Sequence, residues 1–87
     1  MRSFDLDINK TYMEIVIIKW VDSKGITNEW EFKDELSPML PCICVSVGFL
    51  IDDAKTYKTI VQSDGITQVL GRLTIPMEAI LKIKRIA

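Results

Sequence analysis

The sequence contains no histidine, and it has only two cysteines, three prolines and four glycines. Without histidine, the chain lacks the side chain that most often acts as a general base or metal ligand near neutral pH. Two cysteines alone do not complete the roughly four ligands of a structural zinc site. Because no catalytic motif is present either, we expect a protein that is not an enzyme and carries no cofactor or metal.

Neither sign of charge is in large excess, because eleven Lys and Arg stand against twelve Asp and Glu. Proteins that bind nucleic acid mainly through charge need a basic surface. The near-equal numbers of basic and acidic residues therefore disfavour nucleic acid as a partner. No apolar run approaches the ~20 residues of a membrane span, and the N-terminus carries acids where a signal peptide would be apolar. We therefore expect a soluble cytoplasmic protein.

Residues that favour strands are abundant: thirteen Ile, six Val and six Thr are β-branched. A chain of 87 residues forms one domain and buries only about 60 to 65% of its unfolded surface, so self-association would add stability. The sequence thus predicts a mainly β domain that forms a homo-oligomer.

Five segments alternate with the period of a strand. Both faces of the first are apolar, which is typical of a central or barrel strand. Turn residues separate the segments, and Pro76 and a single turn at 77–79 precede the last one. The predicted strands cover residues 11–21, from 42 to a turn at 52–55, 57–62, 68–75 and 80–86.

This pattern predicts a small SH3-like or Sm-like five-stranded barrel with one short helix over residues 11–87, preceded by an N-terminal extension at residues 1–10. The alternative is an open five-stranded sheet packed on one helix. The helix is expected within residues 29–36, with Asn28 and Glu31 as its capping pair and Pro38 and Pro41 beyond its end. A strand competes there, because two aromatics alternate with charged residues.

The C-terminal half carries a pattern that consists of Val45-Ser46-Val47-Gly48-Phe49-Leu50-Ile51, then Tyr57, Ser63 and Leu73-Thr74-Ile75-Pro76. Trp30, an acidic short helix and Cys44 precede it. This pattern and its order resemble one that recurs in small uncharacterised proteins of tailed bacteriophages and prophages. The resemblance implies a compact β-barrel encoded by a phage accessory gene, a group that includes inhibitors of host defence, and it implies no site residues.

Aromatic and cationic side chains form the best candidate site, because rings stack on bases and cations hold phosphate. We select Trp20, Trp30, Lys24 and Arg72 as the candidate ligand-binding residues, and we expect Trp30 to be partly exposed. Cys42 and Cys44 are predicted to be reduced thiols that pack on one face of a strand.

The first functional hypothesis is a phage-encoded binding protein in the host cytoplasm, such as a host-defence inhibitor that occupies a host protein or sequesters a small anionic, nucleotide-like signal. The alternatives are an Sm-like binder of single-stranded nucleic acid and a structural or assembly protein of the virion. Lys82, Lys84 and Arg85 make the last strand basic, which protects a sheet edge or lets it pair with a neighbouring subunit.

Overall fold

The computed structural model describes residues 13–86, which form one antiparallel sheet of five strands. The predicted extension at residues 1–10 lies outside the described part. Two helical turns of three residues each, Lys33–Glu35 and Met77–Ala79, complete the regular structure, so no helix in residues 13–86 has the length and apolarity to cross a membrane. The strands are β1 (Ile15–Asp22), β2 (Cys42–Asp53), β3 (Tyr57–Asp64), β4 (Val69–Pro76) and β5 (Ile80–Arg85).

The strand order is β4-β3-β2-β1-β5, so the first strand lies between the second and the fifth. The turn at Met77–Ala79 leads the chain from β4, at one edge of the sheet, to β5, at the other edge. This turn starts directly after Pro76, as predicted. The mainly β class with five strands is therefore confirmed. The sheet is not closed into a barrel, and β4 and β5 form its two edges.

The hairpin between β2 and β3 differs from its prediction. Asp52 and Asp53, expected in a turn, continue β2 and pair with Thr59 and Lys58. An irregularity in the pairing after Leu50 accommodates one extra residue, which lets the strand bend and continue. The chain then reverses over residues 54–56.

The predicted helix reduces to one 3₁₀ turn at Lys33–Glu35, inside the expected range 29–36. The predicted cap is wrong, because Phe32 occupies the cap position and makes no side-chain cap bond. Glu31 instead accepts a hydrogen bond from the Thr27 hydroxyl at 3.1 Å. Its carboxylate is thereby held by an upstream residue rather than turned back to cap a helix.

The hydrophobic core lies on one face of the sheet and is small. The turn at Met77–Ala79 contributes Ala79 to its boundary, beside Trp20, Leu73, Ile80 and Ile83. Full burial of one aliphatic side chain contributes roughly 1.5 to 3 kcal/mol to the free energy of unfolding. A small number of buried residues therefore provides most of the stability. The buried cluster consists of Val16, Ile18, Leu50, Ile60 and Ile75.

β2 turns its small residues toward this core. Cys44, Ser46 and Gly48 pair with Trp20, Ile18 and Val16, so all six side-chain positions lie on the same face. At Gly48 the neighbouring strand comes so close that an added Cβ would lie 2.8 Å from the Val61 carbonyl oxygen and 3.1 Å from the Ile60 Cβ. Only glycine fits this contact between β2 and β3.

An ion cluster links β2, β3 and β5 with Glu14, the residue that precedes β1. Arg85 donates to the Glu14 carboxylate at 2.9 Å and to the Asp53 carboxylate at 3.1 Å. Lys58 forms an ion pair with Asp53 and donates to the Ala54 carbonyl at 2.7 Å. Hydrogen bonds from Lys58 and Arg85 lower the pKa of Asp53 below its ordinary value of 3.8. Hydrogen bonds to Glu14 and Asp53 raise the pKa of Arg85.

Replacing Gly48 with alanine tests the close approach of β2 and β3. We expect Gly48→Ala to lower the free energy of unfolding by about 1 to 3 kcal/mol, because the new methyl group forces neighbouring backbone apart. Gly25→Ala is the control, since an added Cβ there meets no atom within 4 Å. Denaturant unfolding measures both variants; equal stability of the two would contradict the close approach.

Replacing Asp53 with asparagine tests the ion cluster through its pH dependence. Because the folded-state pKa of Asp53 lies below the unfolded value, the carboxylate stabilises the fold above about pH 4, and this contribution is lost as the pH falls through the lower folded-state pKa. Thermal unfolding of wild type and Asp53→Asn should therefore differ at neutral pH and converge in acid. Asp34→Asn, at an exposed position outside the cluster, is the control. A gap independent of pH would refute the assignment.

Candidate functional site

The face of the sheet opposite the core is largely apolar. Large residues of β2 lie there with 58 to 64% of their surface exposed: Ile43, Val45 and Val47. Exposed apolar patches of this kind mark interaction sites. We define the sheet face by four cross-strand pairs, Ile15 with Phe49, Ile17 with Val47, Lys19 with Val45, and Val21 with Ile43.

A row of lysines borders the sheet face. Lys82 of β5 pairs with Lys19 of β1, and Lys84 pairs with Ile17, so all three ammonium groups lie on this side of the sheet. Like charges directly opposite each other are unfavourable. None of the ion pairs within residues 13–86 involves these lysines. The apolar ladder of the sheet face thus has a positive border that no ion pair within residues 13–86 neutralises.

The segment between β1 and β2, residues 23–41, is exposed along its whole length. We name it the arm. Trp30 is 103% exposed and Ile26 99%, and Phe32 and Leu40 are also mostly exposed. The Cα radius of gyration is 18.0 Å, whereas a compact chain of this length has about 12 Å. The arm therefore exposes Ile26 and Trp30 completely and its other large apolar side chains by more than half.

The arm is acidic where its aromatic residues lie. Glu29 and Glu31 flank Trp30, and Asp34 and Glu35 follow in the 3₁₀ turn. Four acids against two lysines give the arm a formal charge of −2. Its charge is thus opposite in sign to that of the lysine row.

A separate open groove of about 320 Å³ lies over β2, β3 and β4, and we name it the Arg72 groove. Tyr57 donates to the Asp52 carboxylate at 2.9 Å, and this bond raises the pKa of Tyr57. The Thr59 and Thr74 hydroxyls are hydrogen-bonded at 2.8 Å. The groove combines a guanidinium, three hydroxyls and a carboxylate, with Ile51 as its apolar wall.

The four residues selected from the sequence do not meet in one site of a single chain. Trp20 packs beside the core, and its indole N–H donates to the Ser46 hydroxyl at 3.0 Å. Lys24 and Trp30 line separate hollows of the arm, and Trp30 is fully rather than partly exposed. Arg72 alone lines the groove named after it.

Strand register explains why Trp20 and Arg72 are apart. Arg72 pairs with Val61 of β3, which pairs with Phe49 of β2, which in turn pairs with Ile15 of β1. Trp20 is five residues further along β1 than Ile15. At ~3.3 Å per residue, this offset is about 17 Å along the strands. The two side chains also lie on opposite faces of the sheet, so any ligand role for both requires separate sites.

The two cysteines lie on one face of β2, with their Sγ atoms 3.8 Å apart. Both thiols are free. Burial, together with the hydrogen bond to Cys42, raises the pKa of Cys44. Residues 13–86 contain no group of three metal-ligating side chains. Cys44 is partly buried, whereas Cys42 is exposed, so the prediction that both thiols pack into the fold is wrong for Cys42.

Comparison with protein-family models, curated proteins and solved structures finds no significant match to this chain.

Sequence reasoning missed the sheet face, although it detected the alternation of β2. It also did not predict that Tyr57 and Asp52 meet in the Arg72 groove. The available signal was the row of small residues at Cys42, Cys44, Ser46 and Gly48, because small side chains mark the side on which strands and rings approach closely. The larger side chains of the same strand are then left on the other face.

Proposed function

We propose that this chain is a non-enzymatic binding protein, which acts by burying its sheet face and arm against another polypeptide. The observation that carries the proposal is the exposure of Ile43, Val45 and Val47 in the middle of a regular strand. Burial of each such side chain is worth roughly 1.5 to 3 kcal/mol, so a partner that covers them gains substantial binding energy. The exposed aromatics of the arm add residues of the type that dominates binding hot spots.

We further propose that the five strands belong to a small barrel of the SH3-like or Sm-like kind. Support comes from the strand order, in which β1 pairs with both β2 and β5, and from the short 3₁₀ turn that leads into β5. The resemblance to phage and prophage accessory proteins extends the proposal to a partner in the host cytoplasm. A host protein, including a component of host defence, is the class of partner that this extension names.

The binding proposal predicts that a stoichiometric polypeptide partner depends on the sheet face. Tagged wild type, coexpressed with an untagged copy and incubated with host lysate, should retain such a partner. Val45→Thr combined with Val47→Thr should reduce retention at least about tenfold, because threonine keeps the β-branched shape and removes apolar contact. Quantitative mass spectrometry of the retained proteins is the measurement.

Ile66→Thr is the matched control, since Ile66 is 104% exposed but lies in the β3–β4 hairpin. Circular dichroism verifies that each variant is folded. The proposal fails if wild type retains no stoichiometric polypeptide, or if the double variant retains as much as the control does.

The Arg72 groove supports a second candidate function, the sequestration of a small anionic ligand. Its guanidinium can bind phosphate oxygens in a two-pronged fashion, and the Tyr57, Thr59 and Thr74 hydroxyls offer further polar contacts. Asp52 opposes an anion, although the Tyr57 hydroxyl donates a hydrogen bond to one of its carboxylate oxygens.

A panel of cyclic mononucleotides and dinucleotides tests the ligand candidate by thermal unfolding. A ligand present at 100 times its Kd stabilises the folded state by about 2.7 kcal/mol, which raises the midpoint of a domain of this size by many degrees. Arg72→Gln should abolish the rise in the midpoint. Lys55→Gln, which removes an exposed positive charge outside the groove, should preserve it. An unchanged midpoint across the panel would argue against the candidate.

A further inference from the structure

We infer that the partner of the sheet face is a second copy of this chain, whose arm docks on it while its own sheet face receives the arm of the first. This inference rests on the proposed function and names its partner. The sheet face and the arm belong to the same polypeptide. A dimer with two-fold symmetry therefore forms the same arm-to-face contact twice and covers both surfaces of each chain.

The two surfaces match in apolar chemistry. The sheet face offers a ladder of aliphatic side chains that ends in Phe49. The arm offers Trp30 and Phe32, which are 103% and 76% exposed, in a segment without regular strand or helix. Aromatic side chains of this kind are the usual anchors of protein interfaces, because each buries about 150 to 250 Å².

The two surfaces also match in charge. The lysine row holds three positive charges beside the ladder, and Glu29 and Glu31 flank Trp30 on the arm. Neighbouring strands are ~4.8 Å apart. If Trp30 of one chain packs on β1 and β2 of the other, the acids that flank it therefore lie within side-chain reach of the lysine row on β1 and β5. The pairing would relieve the repulsion between Lys19 and Lys82, which lie directly opposite each other.

The size of the contact agrees with a small specific dimer interface. The four cross-strand pairs lie on β1 and β2, and the lysine row extends this face to β5. At standard strand spacings, residues 15–21 and their neighbours on the two other strands cover about 23 Å by 14 Å. Reciprocal docking buries such an area twice on each protomer, once as face and once as arm. The total of roughly 650 Å² per partner lies at the lower end of specific protein interfaces, which begin at about 600 Å² per partner.

The position of the arm favours a second chain over the arm's own sheet. Within residues 13–86 the hydrogen bonds of Thr27, Glu31 and Glu35 stay inside the arm. Trp30 has no contact that covers it, so in a single chain the arm leaves the sheet face open. A second copy supplies the missing cover without rearrangement of either sheet.

A charge swap between the two surfaces tests the inference in the full-length chain. One variant combines Lys82→Glu with Lys84→Glu, and the other combines Glu29→Lys with Glu31→Lys. Each variant alone should dimerise at least about tenfold more weakly than wild type, because like charges then face each other at both contacts. An equimolar mixture should regain the wild-type affinity, since each arm then meets a face of opposite charge. Sedimentation velocity over a range of concentrations measures all of these.

Lys55→Glu provides the control, because Lys55 is exposed and lies outside both the sheet face and the arm, and this variant should dimerise like wild type. The inference is overturned if wild type stays monomeric, or if it dimerises and the swapped variants dimerise equally well. A monomer that still retains another polypeptide through Val45 and Val47 would leave the proposed function standing. A monomer that retains none would overturn both.

Discussion

The close approach of β2 to β3 at Gly48 is the constraint on which the remaining structure depends. No side chain fits between this position and the Val61 carbonyl. The same face of β2 carries Ser46 and Cys44, which leave room for Ile18 and for the Trp20 ring. Because successive residues of a strand point to opposite sides, small residues on the core side leave Ile43, Val45 and Val47 on the other side.

This arrangement makes the core small and the outer surface apolar. Five buried aliphatic residues form the core cluster, and a sixth, Val61, is buried on the opposite face. The ion cluster around Arg85 and Asp53 connects β5 to β2 across β1. Apolar surface that a single chain leaves exposed then becomes the main source of binding energy. Hydrophobic burial alone does not select the orientation of a partner. The acidic arm and the lysine row add this selectivity, because opposite charges have to face each other.

Much of the fold was predictable from the sequence because local patterns determine it. Period-two alternation and turn residues predicted five strands, and Pro76 predicted the turn before β5. The helix was overestimated, since capping residues at Asn28 and Glu31 do not suffice where no apolar face packs against a core. Asp52 and Asp53 looked like a turn, but pairing with β3 holds them in a strand.

The candidate site was harder to predict, because it depends on which strands are neighbours. The sequence selected Arg72 and Trp30, but only strand register shows that Trp20 belongs to the core side and lies far from Arg72. Alternation likewise identified the two sides of β2 without indicating which side meets the core. That choice follows from the contact of Gly48 with β3, which is a tertiary contact between residues distant in sequence.

The most direct test of the account follows the environment of Trp30. Trp20→Phe leaves Trp30 as the one tryptophan of the chain, so its fluorescence reports on the arm alone. If the arm is buried against a polypeptide, the emission should shift to shorter wavelength and acrylamide should quench it less as the protein concentration rises. Emission typical of a water-exposed indole at every concentration, with or without host lysate protein bound to the chain, would contradict the account.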